Sequence, residues 1–229
     1  NPCDEVVLPT PGFPYMDDSV RLLVGQPVFY ELERDDGYLP DPDRIASLVT
    51  PRTKALFLNT PNNPTGAVLP PERIEAILSI TSERGVWVIS DEVYDQLILD
   101  DGLPYLSPGS VDTSMPIISV YSFSKVYSMT GWRLGFAILP PALVETFDLY
   151  TVNIASCACT FSQHAAVEAL RGPQDSVLAM VSEFRQRRDF LVDALNGIRG
   201  ISCAPPGGAF YAFANITGTG MSSDDLATK

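Results

Sequence analysis

The 229 residues carry a formal net charge of −13, with 15 Lys and Arg against 28 Asp and Glu, which argues against nucleic acid as the main partner. Hydrophobic residues make up 45% and charged residues 19%, a balance that buries a sizeable core and excludes a disordered chain. No apolar run reaches the roughly 18 residues a membrane span needs, so no membrane partner is expected.

The chain opens on Asn1-Pro2-Cys3-Asp4, without Met and without the charged-then-apolar pattern of a secretion signal. A start partway through a longer or trimmed chain is therefore expected. The four cysteines (Cys3, Cys157, Cys159 and Cys203) lack paired zinc spacing, and His164 is the single histidine. No metal cluster is expected, and reduced thiols in a cytoplasmic protein are.

In chain order, strands are predicted at Glu5–Leu8, Pro27–Leu32, Lys54–Asn59, Val86–Ser90 and Ile117–Tyr121. Helices are predicted between them at Asp17–Val24, Pro40–Val49 and Pro70–Arg84. In the last, Ile74, Ile77, Leu78 and Thr81 recur at helical spacing and Gly85 stops the run. The segments 54–59, 86–90 and 117–121 are continuous apolar runs, as in parallel strands covered on both faces. Alternating strands and helices predict an α/β fold, a mostly parallel sheet flanked by helices.

From Pro140 the pattern turns helical, with helices predicted at Ala142–Thr151, Ser162–Arg171 and Gln174–Ile198. Short strands at Ile201–Ala204 and Ala209–Ala214 and a helix at Ser222–Lys229 would begin a smaller α+β unit. Two strands and a helix start cannot bury a core alone, so the chain is expected to stop inside that unit.

In open α/β sheets ligands bind beyond the carboxyl ends of the strands. Three polar clusters fall there: Asn59-Thr-Pro-Asn-Asn63-Pro-Thr-Gly66, Asp91-Glu-Val-Tyr94 and Ser122-Phe-Ser-Lys125. Each alone has an ordinary reading as a turn, a helix cap or a solvated lysine. Their joint placement points to one site. His164 reads as packing or surface, Trp132 as an anchor for the loop beside it, and Glu92 as facing away from the cluster.

The run Ser122-Phe-Ser-Lys125-Val-Tyr-Ser-Met-Thr-Gly131-Trp-Arg133-Leu-Gly135 resembles, without a gap, the lysine-attachment motif of class I/II aminotransferases, the fold type I pyridoxal-phosphate enzymes. Asn63-Pro-Thr-Gly66 and Asp91-Glu-Val-Tyr94 resemble two further motifs of that family, in the same order. The resemblance covers essentially the whole chain. It implies pyridoxal 5'-phosphate as cofactor and Lys125 as the Schiff-base lysine and proton shuttle.

By the same resemblance Asp91 keeps the pyridine nitrogen protonated, and Asn63 and Tyr94 donate to the ring's phenolic oxygen. Arg133, Ser122 and Ser124 hold the phosphate. Phe13, with Tyr15 in reserve, stacks on the ring; a core Phe in a Pro-rich turn is the ordinary alternative. Residues 1–172 are then a large cofactor-binding domain lacking its amino-terminal part. Residues 173–229 are a connecting helix and an incomplete small domain.

The expected reaction moves an amino group between an amino acid and a 2-oxo acid, in a homodimer. Alternatives on the same scaffold are a lyase or synthase, or an aminotransferase-like sensing domain in a transcription regulator. Two pieces typical of the family have no counterpart in these residues: a Gly/Ser-rich phosphate turn upstream and a carboxylate-clamping arginine downstream. Pro206-Gly-Gly-Ala-Phe-Tyr211 resembles the strand preceding that arginine.

Overall fold

The computed structural model describes residues 2–112 and 114–228. Six strands form one sheet: β1 (Glu5–Thr10), β2 (Gln26–Glu31), β3 (Thr53–Asn59), β4 (Trp87–Asp91), β5 (Ile117–Ser122) and β6 (Gly135–Ile138). Their spatial order is β2-β1-β3-β4-β5-β6, and every neighbouring pair is parallel except β5 with β6. The five predicted strands are all present within one or two residues of their expected ends.

The main helices are α1 (Tyr15–Leu22), α2 (Pro42–Leu48), α3 (Pro71–Glu83), α4 (Phe123–Val126), α5 (Val144–Ala155), α6 (Thr160–Arg171), α7 (Asp175–Asn196) and α8 (Ser223–Ala227). Asp41 caps α2 by accepting from the Asp43 amide at 2.9 Å, the ordinary use of an aspartate before a helix-initiating proline. Gly85, at φ +64, ends α3 in the left-handed conformation that favours glycine.

Ile74, Ile77, Leu78 and Thr81 are the buried residues of α3, as their spacing predicts. They pack with Val7, Leu56, Leu58, Val88 and Ile45 of α2 in the main core. Each fully buried aliphatic side chain there is worth about 1.5–3 kcal/mol. This core fastens β1, β3 and β4 to α2 and α3, so the carboxyl ends of those strands become a fixed edge.

The structure departs from the sequence reading at three places. Strand β6 and α4 were not anticipated, because each is only four residues long, too short to carry a pattern, and β6 is largely exposed and depends on pairing with β5. The strands expected at Ile201–Ala204 and Ala209–Ala214 are not formed. Single bridges stand there instead, Ser202 with Asn215 and Ile98 with Gly208. β-prone residues form a ladder only beside a second strand, and the described residues offer them none. The predicted terminal helix is realised as α8, with Lys229 outside the described residues.

The segment after α7 is nevertheless well anchored. Leu99 N donates to Gly207 O at 2.7 Å, Ala209 N to Leu97 O at 2.9 Å, and Gly208 N to Gly66 O at 2.9 Å. Gly66 sits at φ +72, and a Cβ there would stand 2.3 Å from Pro206 Cβ, so glycine is required by both conformation and space. A Cβ at Gly208 would likewise stand 2.8 Å from Pro61 and Val68. Among the described residues no helix is long and apolar enough to cross a membrane. All four cysteines are free.

Candidate active site

The carboxyl ends of β3, β4 and β5 lie side by side, with Asn59 in register with Asp91 and the start of β6 placing Gly135 opposite Ser122. A cavity of ≈ 300 Å³ opens at this edge, lined by Phe13, Asn63, Asp91, Val93, Tyr94, Ser122, Ser124, Lys125, Thr130, Arg133 and Tyr211. All eight site residues proposed from sequence are thus brought to one cavity. A cleft of ≈ 670 Å³ behind Pro205–Gly207 is larger, but its lining offers no lysine and its one carboxylate, Asp100, is exposed. Chemistry, not size, selects the smaller cavity.

Each side chain has a local reason to be there. Ser122 caps α4, its Oγ accepting from Ser124 N at 3.1 Å, which leaves its own hydrogen free to donate. Phe123 and Val126 are buried, with Phe123 packed against Met129 and Ala166 of α6. They root α4 and leave Lys125 between them to face the cavity. Lys125 Nζ stands 5.9 Å from the Tyr94 ring centre and 5.3 Å from that of Phe210. Arg133 adopts φ 50, ψ 53, an uncommon conformation for a residue with a side chain, and its guanidinium donates to Thr130 O at 3.0 Å. Trp132 meets Phe161 edge-on at 6.0 Å and stays partly exposed, an anchor between this loop and α6. Phe13 lines the cavity, whereas Tyr15 packs edge-on against it and is largely exposed. His164 lies on the exposed surface of α6.

Burial pushes the Asp91 carboxyl up to about 6, the Val93 amide opposes the rise and the neighbouring Glu92 adds to it. An acid held this way is short of a cationic partner, and a protonated ring nitrogen would supply one. Tyr94 is raised above the ordinary phenol range, first by burial, then by its hydrogen bond to Tyr211 and by the Asp91 charge. It is therefore a neutral donor. Glu92 faces away from the cavity, as expected, and is fully buried. Its Oε2 accepts from Tyr105 at 2.7 Å and Tyr121 at 3.1 Å, tying the turn after β4 to β5.

Two residues here had no role in the sequence reading. Asn59 is buried, donates from Nδ2 to Asp91 O at 3.1 Å and accepts from Asn63 N at 2.6 Å. One side chain thereby joins the ends of β3 and β4 to the Asn63 loop. A lone amide ending an apolar strand was the available signal. Asn59→Ala leaves the Asn63 amide without its partner, while Asp91 O keeps the Thr60 amide at 3.1 Å, and a loss of about 1–3 kcal/mol in unfolding free energy is expected. Urea denaturation checks this; a loss under about 0.5 kcal/mol would show the bridge to be dispensable. The second residue is Tyr211, whose hydroxyl lies 2.5 Å from that of Tyr94.

The amine, the buried acid, the amide and phenol donors, and the guanidinium beside two hydroxyls match the parts of a phosphorylated pyridine aldehyde group by group. The profile of the family described as aminotransferase class I and II matches residues 1–229. An aspartate aminotransferase of Pyrococcus horikoshii is 35% identical over 98% of the chain and 57% of its own length. The aromatic-amino-acid aminotransferase 2 of Thermococcus litoralis is 37% identical over 98% of the chain and 58% of its own length.

Among solved structures, an aromatic aminotransferase from Pyrococcus horikoshii superposes with a TM-score of 0.94 at 37% identity, over 100% of this chain and 61% of that one. The aspartate aminotransferase of Rhizobium meliloti gives 0.91 at 33% identity, over 95% and 55%. The chain spans somewhat over half the length of these relatives. With the profile matching from end to end and the fold shared, this chain belongs to the class I and II aminotransferase family.

Proposed function

We propose that this chain carries the pyridoxal-phosphate site of an aminotransferase that moves an amino group between an amino acid and a 2-oxo acid. The observation that carries the reading is the convergence of Lys125 and the buried Asp91 with Asn63, Tyr94, Ser122, Ser124 and Arg133 on one cavity at the carboxyl edge of the sheet. The cofactor, when bound, supplies an aldehyde for covalent capture of amines and a ring that withdraws electrons. The residues do the rest.

Lys125 Nζ holds the cofactor and, once released by substrate, moves a proton at the substrate Cα. Asp91 keeps a proton on the ring nitrogen through a charge-assisted hydrogen bond. Asn63 and Tyr94 donate to the ring oxygen. Arg133 grips the phosphate in bidentate fashion, with Ser122 and Ser124 adding hydroxyl donors. Phe13 covers a face of the ring and keeps water from it. In this reading residues 1–172 form the cofactor-binding domain, 173–229 begin a smaller one, and two copies pair as a homodimer.

The test uses the protein as its gene encodes it, mixed with pyridoxal phosphate and then with single amino acids. A visible absorbance band should form, then bleach as a stoichiometric 2-oxo acid appears. Bleaching with release of ammonia or an olefin instead would make it a lyase of the same scaffold. Failure to form a band would remove the cofactor from the account.

A further inference from the structure

Tyr211 sits 117 residues from Tyr94 along the chain, yet their hydroxyls lie 2.5 Å apart at the rim of the cavity that contains Lys125. The contact is not a loose surface encounter. Phe210 and Tyr211 stack edge-on or tilted with Tyr94 and one another at 4.9–5.7 Å, and Met180, Val181 and Phe184 of α7 back them. The three backbone hydrogen bonds of Gly207–Ala209 fix the segment to residues 97–99 and to Gly66. Tyr94 is buried, so its hydroxyl has few other neighbours to choose from. The charged groups facing it are Asp91 from the end of β4, Lys125 from α4 and Arg133 across the cavity.

A phenol that gives its hydrogen to an anionic oxygen has lone pairs left to accept. Either hydroxyl of the Tyr94–Tyr211 pair can donate; in the empty site Tyr94 gives its hydrogen to Tyr211, and once that hydrogen turns to the cofactor, Tyr211 is the donor at hand. We propose that Tyr211 is a positioning residue: its O–H donates to Tyr94 Oη, aims the Tyr94 hydrogen at the cofactor's ring oxygen and strengthens that bond by polarising it. The inference rests on the proposed cofactor reading. A chain of two such bonds is stronger than its members, by about 10–30% per bond. Tyr211 would then act through Tyr94, without touching the cofactor. Because it rides on the segment after α7, the position of that segment would tune the acidity of the site.

The experiment is a pH titration of the visible cofactor band in the gene-encoded protein and its variants. Donors to the anionic oxygen favour the deprotonated form and lower the midpoint, so removing them raises it. Tyr94→Phe should raise the midpoint by about one unit or more, and Tyr211→Phe by about half a unit. The double variant should match Tyr94→Phe alone, since Tyr211 has no other route. Fluorotyrosine at 211, a more acidic donor, should lower the midpoint. It also preserves the packing if the phenylalanine variant folds poorly. A Tyr211→Phe midpoint equal to wild type, or a double variant displaced by the sum of both single shifts, overturns the proposal. A wild-type protein that forms no band fails earlier, at the cofactor reading itself.

Discussion

Replacing Lys125 with alanine is expected to abolish covalent retention of the cofactor and to lower turnover by on the order of 10²–10⁴-fold from lost proton transfer alone. The chain has three lysines, Lys54, Lys125 and Lys229. Lys54 is exposed near the start of β3, at the opposite end of that strand from the cavity. Borohydride reduction of the loaded protein followed by peptide mapping should therefore label Lys125, and the alanine variant should release its cofactor on gel filtration. The fold should survive, because Lys125 is partly exposed and α4 is held by Phe123 and Val126. Equal melting temperatures for the two cofactor-free proteins would check that. Covalent labelling at another lysine in the variant would reassign the site.

Asp91→Asn should act in opposite directions on binding and on stability. Without the charge, a hydrogen bond to a cationic ring nitrogen is lost, and cofactor affinity should fall roughly 10–100-fold. The empty protein should instead become more stable at pH 8. Asp91 is raised from 3.8 to about 6. Between those values the folded state keeps a proton that the unfolded chain has released, so stability falls as pH rises through the window, and the cost is complete above it. The shift is equivalent to about 3 kcal/mol as an upper bound, since residual solvent access screens the charge. Wild type and variant should converge near pH 4. Chemical denaturation of both cofactor-free proteins at pH 4 and pH 8 measures the difference. A variant that is no more stable at pH 8 would mean the carboxylate is solvated in the empty site.

The parts of the fold visible in the sequence were those whose cause is local. Ile74, Ile77 and Leu78 mark a buried helix face because burial repeats with the helical turn. Asn63, Asp91 and Lys125 were legible as a group because each follows an apolar run that must be a strand. A parallel sheet brings such ends together whatever lies between them. Strand β6 was missed because its four residues, largely exposed, have no pattern of their own and depend on pairing with β5. The reverse error occurred at residues 201–214, where strand-forming residues find no partner. Tyr211 and the Glu92–Tyr105–Tyr121 ties depend on contacts between distant segments, and no spacing rule announces those.

The interlock of Gly66 with Pro206 and Gly208 has a consequence for mutational scanning. Saturation of position 66 would return a uniformly intolerant column, and its place inside the Asn63-Pro-Thr-Gly66 motif would invite a catalytic explanation. The contact distances give a steric one: any Cβ strikes Pro206 before the cofactor is involved. Positions 61, 66, 68, 206 and 208 share one small volume, so their substitution effects should be strongly non-additive. Pairwise libraries over these five positions, scored for folding separately from turnover, would separate crowding from chemistry where single substitutions confound them.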